Sequence, residues 1–209
     1  MKRNTTLWLF GLVLGFQIPM AQAAPPVDKE SAESSREGGS APKELTGLSA
    51  KETTFQTGRP LQAKVIRSQK EASELLSDTS AAELAKQVDF AKESVVLFAW
   101  KGSGQDRLKA STLKHQTVFS LEPGRTRDLR EHVRAYALAK NTHWAIGVSY
   151  DEVKSLILKD KVRHAMQLHN RRVTVSTMDG THYESTEPML DDIIRFIREN
   201  KKDIPIATE

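Results

Sequence analysis

The run of residues 95–100, Val-Val-Leu-Phe-Ala-Trp, constrains the fold of this chain more than any other stretch. It follows a short polar turn and is stopped by Gly102 and Gly104. An unbroken series of β-branched and aromatic residues without helical spacing predicts a strand that is buried on both faces. We therefore expect the central strand of a sheet at this position, with Trp100 buried.

Two helices are predicted before this strand, after a first strand over residues 61–66. Ser68 is followed three residues later by Glu71, and Ser80 is followed in the same way by Glu83. This spacing is that of a capping box, in which the hydroxyl and the carboxylate each accept a hydrogen bond from a backbone N–H of the other residue. Apolar residues recur at helical spacing after both serines, which predicts a helix pair.

Strands are predicted after the central one at residues 106–113, 116–121 and 133–138, and a further strand at residues 144–148. Each is short and is bounded by glycine, proline, asparagine or charged residues. This spacing is typical of an antiparallel meander.

The last sixty residues add a helix at 151–158, a strand at 162–168 and a hairpin. A three-residue hairpin loop with Gly180 in the left-handed region would place Val175 opposite Tyr183, both apolar. A two-residue loop would instead oppose Val175 to Glu184, so we expect the longer loop. Thr186 is the expected N-cap of a C-terminal amphipathic helix that ends before residue 205.

These patterns predict an α+β fold: a mainly antiparallel sheet or partly open barrel, packed by an N-terminal helix pair and a C-terminal amphipathic helix. The expected segments are a signal peptide (1–23), a disordered linker (24–54), an α+β core with an antiparallel meander (55–149), and a hairpin with a C-terminal helix belonging to the same domain (150–209).

The N-terminal segment has the pattern of a signal peptide. Lys2 and Arg3 precede an uncharged apolar stretch at residues 7–16. The small residues Ala21 and Ala23 stand at the two positions that a signal peptidase reads before a cleavage site between Ala23 and Ala24. The apolar stretch is too short to span a bilayer as a helix. We expect export to the periplasm or beyond, and no membrane span after processing.

One resemblance lies in the central part of the chain. The residues concerned are Val88-Asp89-Phe90, Glu93, Val95 to Phe98, Gly102-Ser103-Gly104 and Val133-x-x-Tyr136, together with Thr126-Arg127-Asp128-Leu129. Residues 62–148 resemble the PrcB-like domain of protease-complex-associated stabilising polypeptides and similar secreted bacterial proteins. Asp106-Arg107-Leu108 departs from the Gly-Gly-Tyr-like start expected of the next strand. The resemblance implies a small β domain that binds or stabilises another protein, and no catalytic residues.

No catalytic constellation is found in the sequence. The chain has no cysteine, which excludes disulfides, thiolate metal sites and cysteine nucleophiles. Ser111 and Lys114 match a serine acyl-enzyme spacing, but they fall in a predicted strand, whereas that chemistry needs a helix N-terminus. The six histidines lack metal-ligand spacing, so we expect no cofactor and no metal; the alternative is a zinc site assembled from residues distant in sequence.

Two basic groups remain as candidates for docking an anionic partner, against the alternative of ordinary solvated surface. They are Arg125, Arg127, Arg130 and Arg134, and Lys159, Lys161, Arg163, Arg171 and Arg172. The formal net charge of +4, of which Lys2 and Arg3 supply two units, is well below that of most nucleic-acid-binding domains.

The sequence therefore predicts an exported, non-enzymatic protein-interaction or stabilising module. Its expected partner is another extracytoplasmic protein or an anionic surface, and not nucleic acid. The alternative is an extracytoplasmic enzyme or a protein that binds a small ligand or an anion, with a site assembled from residues distant in sequence.

Overall fold

The computed structural model describes residues 41–113 and 116–209, which form an α+β fold of eleven strands and four α-helices. The elements are β1 (Lys43–Leu45), β2 (Lys64–Ile66), α1 (Gln69–Leu75), α2 (Asp78–Gln87), β3 (Glu93–Ser103), β4 (Arg107–Leu113), β5 (Gln116–Glu122), β6 (Leu129–Ala139), β7 (His143–Gly147), α3 (Tyr150–Leu158), β8 (Val162–Gln167), β9 (Arg172–Thr177), β10 (His182–Thr186), α4 (Asp192–Glu199) and β11 (Ile206–Thr208). The predicted signal peptide and its cleavage site at Ala23 and Ala24 lie outside the described residues.

The strands form two sheets. The four-stranded sheet has the order β1-β6-β3-β2 and is antiparallel throughout. The seven-stranded sheet has the order β11-β8-β9-β10-β7-β5-β4 and is mixed, because β7 runs parallel to both β5 and β10, and β11 runs parallel to β8. The α+β class and the mostly antiparallel pairing are confirmed. Neither sheet closes into a barrel within the described ranges.

Strand β3 is the buried central strand that the sequence predicts. It pairs with β6 along its whole length, from Glu93 opposite Ala139 to Ser103 opposite Leu129. Its alternate side chains enter two different apolar clusters, one shared with the helix pair and one shared with the seven-stranded sheet. Trp100 is 4% exposed, as expected.

The predicted antiparallel meander is wrong. After β3 the chain forms the β4–β5 hairpin in the seven-stranded sheet, and it then returns as β6 to pair with β3. The reason is that β2 and β6 occupy the two hydrogen-bonding edges of β3, which leaves no edge for β4.

Helices α1 and α2 contribute Ala72, Leu76, Ala81 and Leu84 to the cluster that also holds Val95 and Leu97 of β3. Ser68 is the N-cap of α1, its hydroxyl accepting from the Glu71 amide at 3.2 Å. The Glu71 carboxylate accepts from the Arg67 amide and not from that of Ser68, so only half of the predicted capping box is formed. The second helix begins earlier than predicted, because Ser77 is its N-cap. Ser80 lies inside α2, is buried, and its hydroxyl accepts a hydrogen bond from the Ser49 amide.

Residues 43–54 are ordered in the structure, which differs from the predicted linker over residues 24–54. Strand β1 pairs with β6, and Leu45 is buried in the cluster of the helix pair. Leu48 and Ala50, both partly buried, pack against the same cluster, and β6 offers β1 an edge beside it, so these few apolar residues are enough to order the segment. The rest of the predicted linker, residues 24–40, lies outside the described residues.

The predicted hairpin register is confirmed. Val175 pairs with Tyr183, and the Thr177 amide donates to the Thr181 carbonyl at 2.9 Å. Gly180 has a φ of 84°, a left-handed conformation that glycine adopts without a Cβ penalty.

The C-terminal helix begins later than predicted. Thr186 is the last residue of β10 and not a cap. The fully buried carboxylate of Glu187 instead accepts hydrogen bonds from the amides of Asp191 and Ile193, at 3.1 and 2.9 Å. One carboxylate thus satisfies two N–H groups that a helix start leaves without partners. No helix in residues 41–113 or 116–209 has the length and apolar character needed to cross a bilayer.

Candidate functional site

The topology brings the ends of three strands to one edge of the seven-stranded sheet. Strands β5, β7 and β10 are parallel, so their carboxyl ends lie together, and α3 begins directly after β7. Strand β4 runs opposite to β5 and therefore begins at the same edge. We call this edge the carboxyl edge; in sheets of this kind it is a common place for ligand sites. Two cavities lie there.

The first cavity has a volume of about 660 Å³ and lies between the β3–β4 turn and the segment after β5. It is lined by three arginines, Arg107, Arg125 and Arg134, and we call it the arginine cleft. Arg134 lies 3.7 Å from Glu44, whereas Arg107 and Arg125 form no ion pair with any residue in the described ranges. Glu122 also lines the cleft, and its carboxylate pairs with Lys109.

The carboxylate of Asp106 ties the two walls of the arginine cleft together. Its Oδ2 accepts a hydrogen bond from the Trp100 indole at 3.0 Å, and its Oδ1 accepts one from the Gly124 amide at 2.7 Å. The Trp100 ring stacks on His132, with 4.7 Å between ring centroids. The β3–β4 turn and the segment after β5 are therefore fixed to a buried tryptophan.

Asp128 makes a second connection between the same segments. It accepts hydrogen bonds from the Gly104 amide at 3.2 Å and from Nε of Arg130 at 3.0 Å. The hydrogen bonds from the Thr126 side chain, from Arg130 and from Gly104, in that order of size, lower the pKa of Asp128 to about 2. Asp128 is thus a carboxylate at any physiological pH, and Arg130 is paired with it.

The second cavity, of about 460 Å³, lies where β5, β7 and β10 end; we call it the carboxyl-edge pocket. Ser120, Gly147 and Glu184 stand side by side across the three strands. Gly147 leaves the space between its neighbours open, because a Cβ at this position would lie 2.6 Å from Oγ of Ser120. Arg59 and Glu152 also line this pocket. Its apolar wall is formed by Leu61, Leu121, Ile146 and Val148.

Glu184 is held by a neighbour on the same sheet face. Nη2 of Arg172 donates to Oε2 of Glu184 at 2.9 Å and to Oε1 of Gln116 at 2.8 Å. The Glu184 side chain is only 14% exposed, so this ion pair is better shielded than a surface pair. The position of its carboxylate is therefore fixed, and no hydrogen bond from another described residue reaches Oε1.

Glu152 is held by the start of α3. Its Oε2 accepts hydrogen bonds from the amide and the hydroxyl of Ser149, both at 2.9 Å, while Oγ of Ser149 accepts from the Glu152 amide. This capping box means that the helix end already has its own partners.

In the structure the members of each predicted basic group lie at different places and do not form one surface. From the first, Arg125 and Arg134 line the arginine cleft, Arg130 pairs with Asp128, and Arg127 is exposed. In the second, Arg172 begins β9 at the carboxyl edge and pairs with Glu184, and Arg171, just before the strand, donates to the Pro188 carbonyl.

The other three members, Lys159, Lys161 and Arg163, lie at the start of β8, which runs in the same direction as β10. They are therefore at the opposite edge of the sheet. The second group does not form one surface.

Sequence reasoning missed Arg107, Arg59, Glu152 and Glu184. For Glu152 a signal was present, because Ser149 and Glu152 have capping-box spacing. Arg59 and Arg107 carried none, since their place in a cavity depends on which strands become neighbours.

The described residues contain one serine–histidine pair, on the face of the seven-stranded sheet that no helix covers. Oγ of Ser176 lies 2.7 Å from Nδ1 of His182. Ser176 is 4% exposed, and burial, followed by the nearby His164 and His143, lowers the pKa of His182. A hydroxyl so enclosed has no space for an acyl substrate, so the pair is a packing contact.

The other chemical patterns in the sequence do not form sites either. Ser111 lies in strand β4 and not at a helix start, and Lys114 lies outside the described residues. The described residues contain no cluster of three or more histidine or acidic side chains that could hold a metal ion.

Comparisons with known proteins give no further guidance. The chain matches no protein-family model and no curated protein.

Proposed function

We propose that this protein is an exported, non-enzymatic interaction module that captures an acidic segment of another extracytoplasmic protein in the arginine cleft. The observation that carries the proposal is the convergence of Arg107, Arg125 and Arg134 on one cavity. Guanidinium groups bind carboxylates through paired, charge-assisted hydrogen bonds, so three of them around one cleft favour a carboxylate-rich ligand. The resemblance of residues 62–148 to the PrcB-like domain favours the same class of function.

The rigidity of the cleft supports this proposal. Asp106 and Asp128 anchor its two loops to buried or paired groups before any partner arrives. A preorganised site loses less conformational entropy on binding, which raises affinity. The helix pair and α4 pack away from the cleft and, in this proposal, serve as scaffold.

The distribution of the basic residues favours a protein segment over a lipid or polymer surface. A flat anionic surface binds best to a basic patch that is spread over one face. Here Lys159, Lys161 and Arg163 lie at the opposite edge of the sheet from the cleft. The cleft is concave, and a projecting acidic side chain fits such a shape.

The test is binding of fluorescent poly-L-glutamate to the purified protein, measured by anisotropy over a range of salt concentrations. We expect binding that weakens steeply with salt, because the interacting charges are exposed and are screened by ions. Arg107→Gln and Arg125→Gln should each weaken binding by about tenfold, as expected for the loss of a hydrogen bond between charged groups. Arg163→Gln and Arg67→Gln are matched controls that should leave affinity unchanged.

Two results would contradict the proposal. One is binding that does not respond to salt, or that is lost equally in the control variants. The other is weak binding of poly-L-glutamate together with strong binding of vesicles that contain phosphatidylglycerol, which would make the partner a membrane surface.

A further inference from the structure

Four strands lie at the edges of the two sheets, and they differ in length. Strands β1, β2 and β11 have three residues each, whereas β4 has seven. One edge of β4 pairs with β5 at every residue. No backbone hydrogen bond from another element reaches its second edge within residues 41–113 and 116–209. A long edge of this kind presents a row of N–H and C=O groups with which an extended chain can pair.

The two faces of β4 differ in polarity. Arg107, Lys109 and Ser111 alternate along the strand on one face and are exposed. Leu108 and Ala110 lie on the other face, where they are partly buried against the apolar core. A strand added to this edge would continue both faces, because paired residues of neighbouring strands point to the same side of a sheet. The edge therefore fits a strand in which acidic and apolar residues alternate.

Arg107 connects this edge to the arginine cleft. It is the first residue of β4 and also lines the cleft. A segment that places a carboxylate in the cleft can therefore continue along the β4 edge. Lys109 is the next residue on the same face, and its ion pair with Glu122 is exposed, by 62% on the lysine and 53% on the glutamate. Such an exposed pair is weak, so Lys109 can also bind a carboxylate of a partner.

Charge favours an acidic strand over a second copy of β4. Pairing of two copies would bring two Arg107 and two Lys109 side chains to one face of the joined sheet, where like charges repel. An acidic strand instead places carboxylates beside these two groups.

We propose that the acidic segment of the partner binds in an extended conformation and adds an eighth strand to the seven-stranded sheet, along β4. Its acidic residues face Arg107 and Lys109, its intervening apolar residues pack on Leu108 and Ala110, and its backbone pairs with the second edge of β4. This inference rests on the proposed function, because it describes how the segment held in the arginine cleft continues beyond it.

The test compares two fluorescent heptapeptides of the same composition, whose binding to the full chain is measured by anisotropy. One alternates glutamate and valine, beginning and ending with glutamate, and the other has four glutamates followed by three valines. The alternating peptide should bind at least about tenfold more tightly, because only this peptide directs its carboxylates to one face and its apolar side chains to the other.

A variant of β4 and a matched control locate the binding. Lys109→Gln should weaken the alternating peptide by about two- to fivefold, as expected for the loss of an exposed ion pair. Arg163→Gln, at an exposed position of β8, should leave the affinity unchanged.

Two N-methylated forms of the alternating peptide test the backbone pairing. The amides of successive residues in a strand point to opposite edges, so all valine amides face one edge and all glutamate amides face the other. Methylation of one set should weaken binding at least about tenfold, and methylation of the other set should have little effect. The unmethylated peptide should also slow hydrogen exchange of alternate amides in β4 and leave exchange in β11, at the far edge of the sheet, unchanged.

The outcomes separate this inference from the proposed function. Equal binding of the two heptapeptides, equal losses from the two methylated forms, or unchanged hydrogen exchange in β4 would overturn the strand addition. A loss of binding in Arg125→Gln would in that case still support the arginine cleft. Absence of binding by both heptapeptides and by poly-L-glutamate would overturn the proposed function and this inference with it.

Discussion

The two sheets of this molecule differ in what covers them. The four-stranded sheet is covered on both faces, by the helix pair on one side and by the seven-stranded sheet on the other. The seven-stranded sheet is covered on one face; the other carries the Arg172–Glu184 ion pair and the Ser176–His182 hydrogen bond. Both cavities lie at the edge of this second sheet. The comparison separates a scaffold, whose apolar strands are enclosed, from a partly open sheet that offers polar groups to a ligand.

The largest expected effect is in the enclosed sheet. Leu97→Ala removes a fully buried side chain from the middle of β3, and we expect it to lower the free energy of unfolding by about 2–5 kcal/mol. Leu129→Ala is the matched control, because Leu129 is at the exposed end of the partner strand β6 and is 73% exposed. It should change stability by no more than about 0.5 kcal/mol. Urea unfolding followed by tryptophan fluorescence measures both, and similar midpoints for the two variants would show that β3 is not the centre of the core.

A smaller loss is expected on the covered face of the seven-stranded sheet. Glu187→Ala leaves the amides of Asp191 and Ile193 and the Gln167 side chain without their acceptor. Buried donors that lose their acceptor should destabilise the protein by about 1–3 kcal/mol, with the loss concentrated at the start of α4.

Hydrogen exchange of the α4 amides and urea unfolding measure this effect. Glu187→Gln, which keeps one oxygen acceptor, should retain part of the stability. Glu199→Ala, an exposed acid at the end of the same helix, should have little effect. Equal stabilities of the alanine variants at 187 and 199 would show that Glu187 does not act as the cap.

Strand β3, the start of α1 and the β9–β10 hairpin were predictable because the sequence signals for them are local. The run of β-branched and aromatic residues in β3 must be buried wherever it lies, and the Ser68 cap depends only on residues three apart. The β9–β10 register followed from keeping apolar residues on one face, and it placed Val175 opposite Tyr183. The same register makes Arg172 and Glu184 diagonal neighbours on one face, so this ion pair could have been found from the sequence.

The two cavities at the carboxyl edge were not predictable, because they depend on the pairing of strands that are distant in the chain. The carboxyl-edge pocket exists only because β7 lies between β5 and β10 in parallel, and no local pattern encodes such a pairing. The arginine cleft requires that β5 and β6 belong to different sheets, so that Arg125 and Arg134 approach from separate layers. A meander would have placed these strands side by side. Charge clustering in the sequence therefore found two of the three arginines but missed Arg107.

The smallest expected effect on stability comes from Asp128, in the loop beside the arginine cleft, and it depends on pH. The pKa of Asp128 is about 2 in the folded protein, below the value of about 3.9 for an unperturbed aspartate. The folded state therefore favours the carboxylate. Its contribution to stability is complete above pH about 4 and is lost as the pH falls towards 2. We expect Asp128→Asn to be less stable than wild type at pH 5 and to lose less stability between pH 4 and pH 2.

Urea midpoints at pH 5, 4, 3 and 2.5 measure this difference, and the curves of the two proteins should converge as the pH falls. Asp203→Asn, at an exposed position near the C-terminus, is the control and should follow the wild-type curve throughout. Parallel curves for wild type and Asp128→Asn would mean that the Thr126, Arg130 and Gly104 contacts do not favour the ionised form. In that case Asp128 would not help to anchor the β3–β4 turn, and the preorganisation of the arginine cleft would rest on the hydrogen bonds of Asp106 alone.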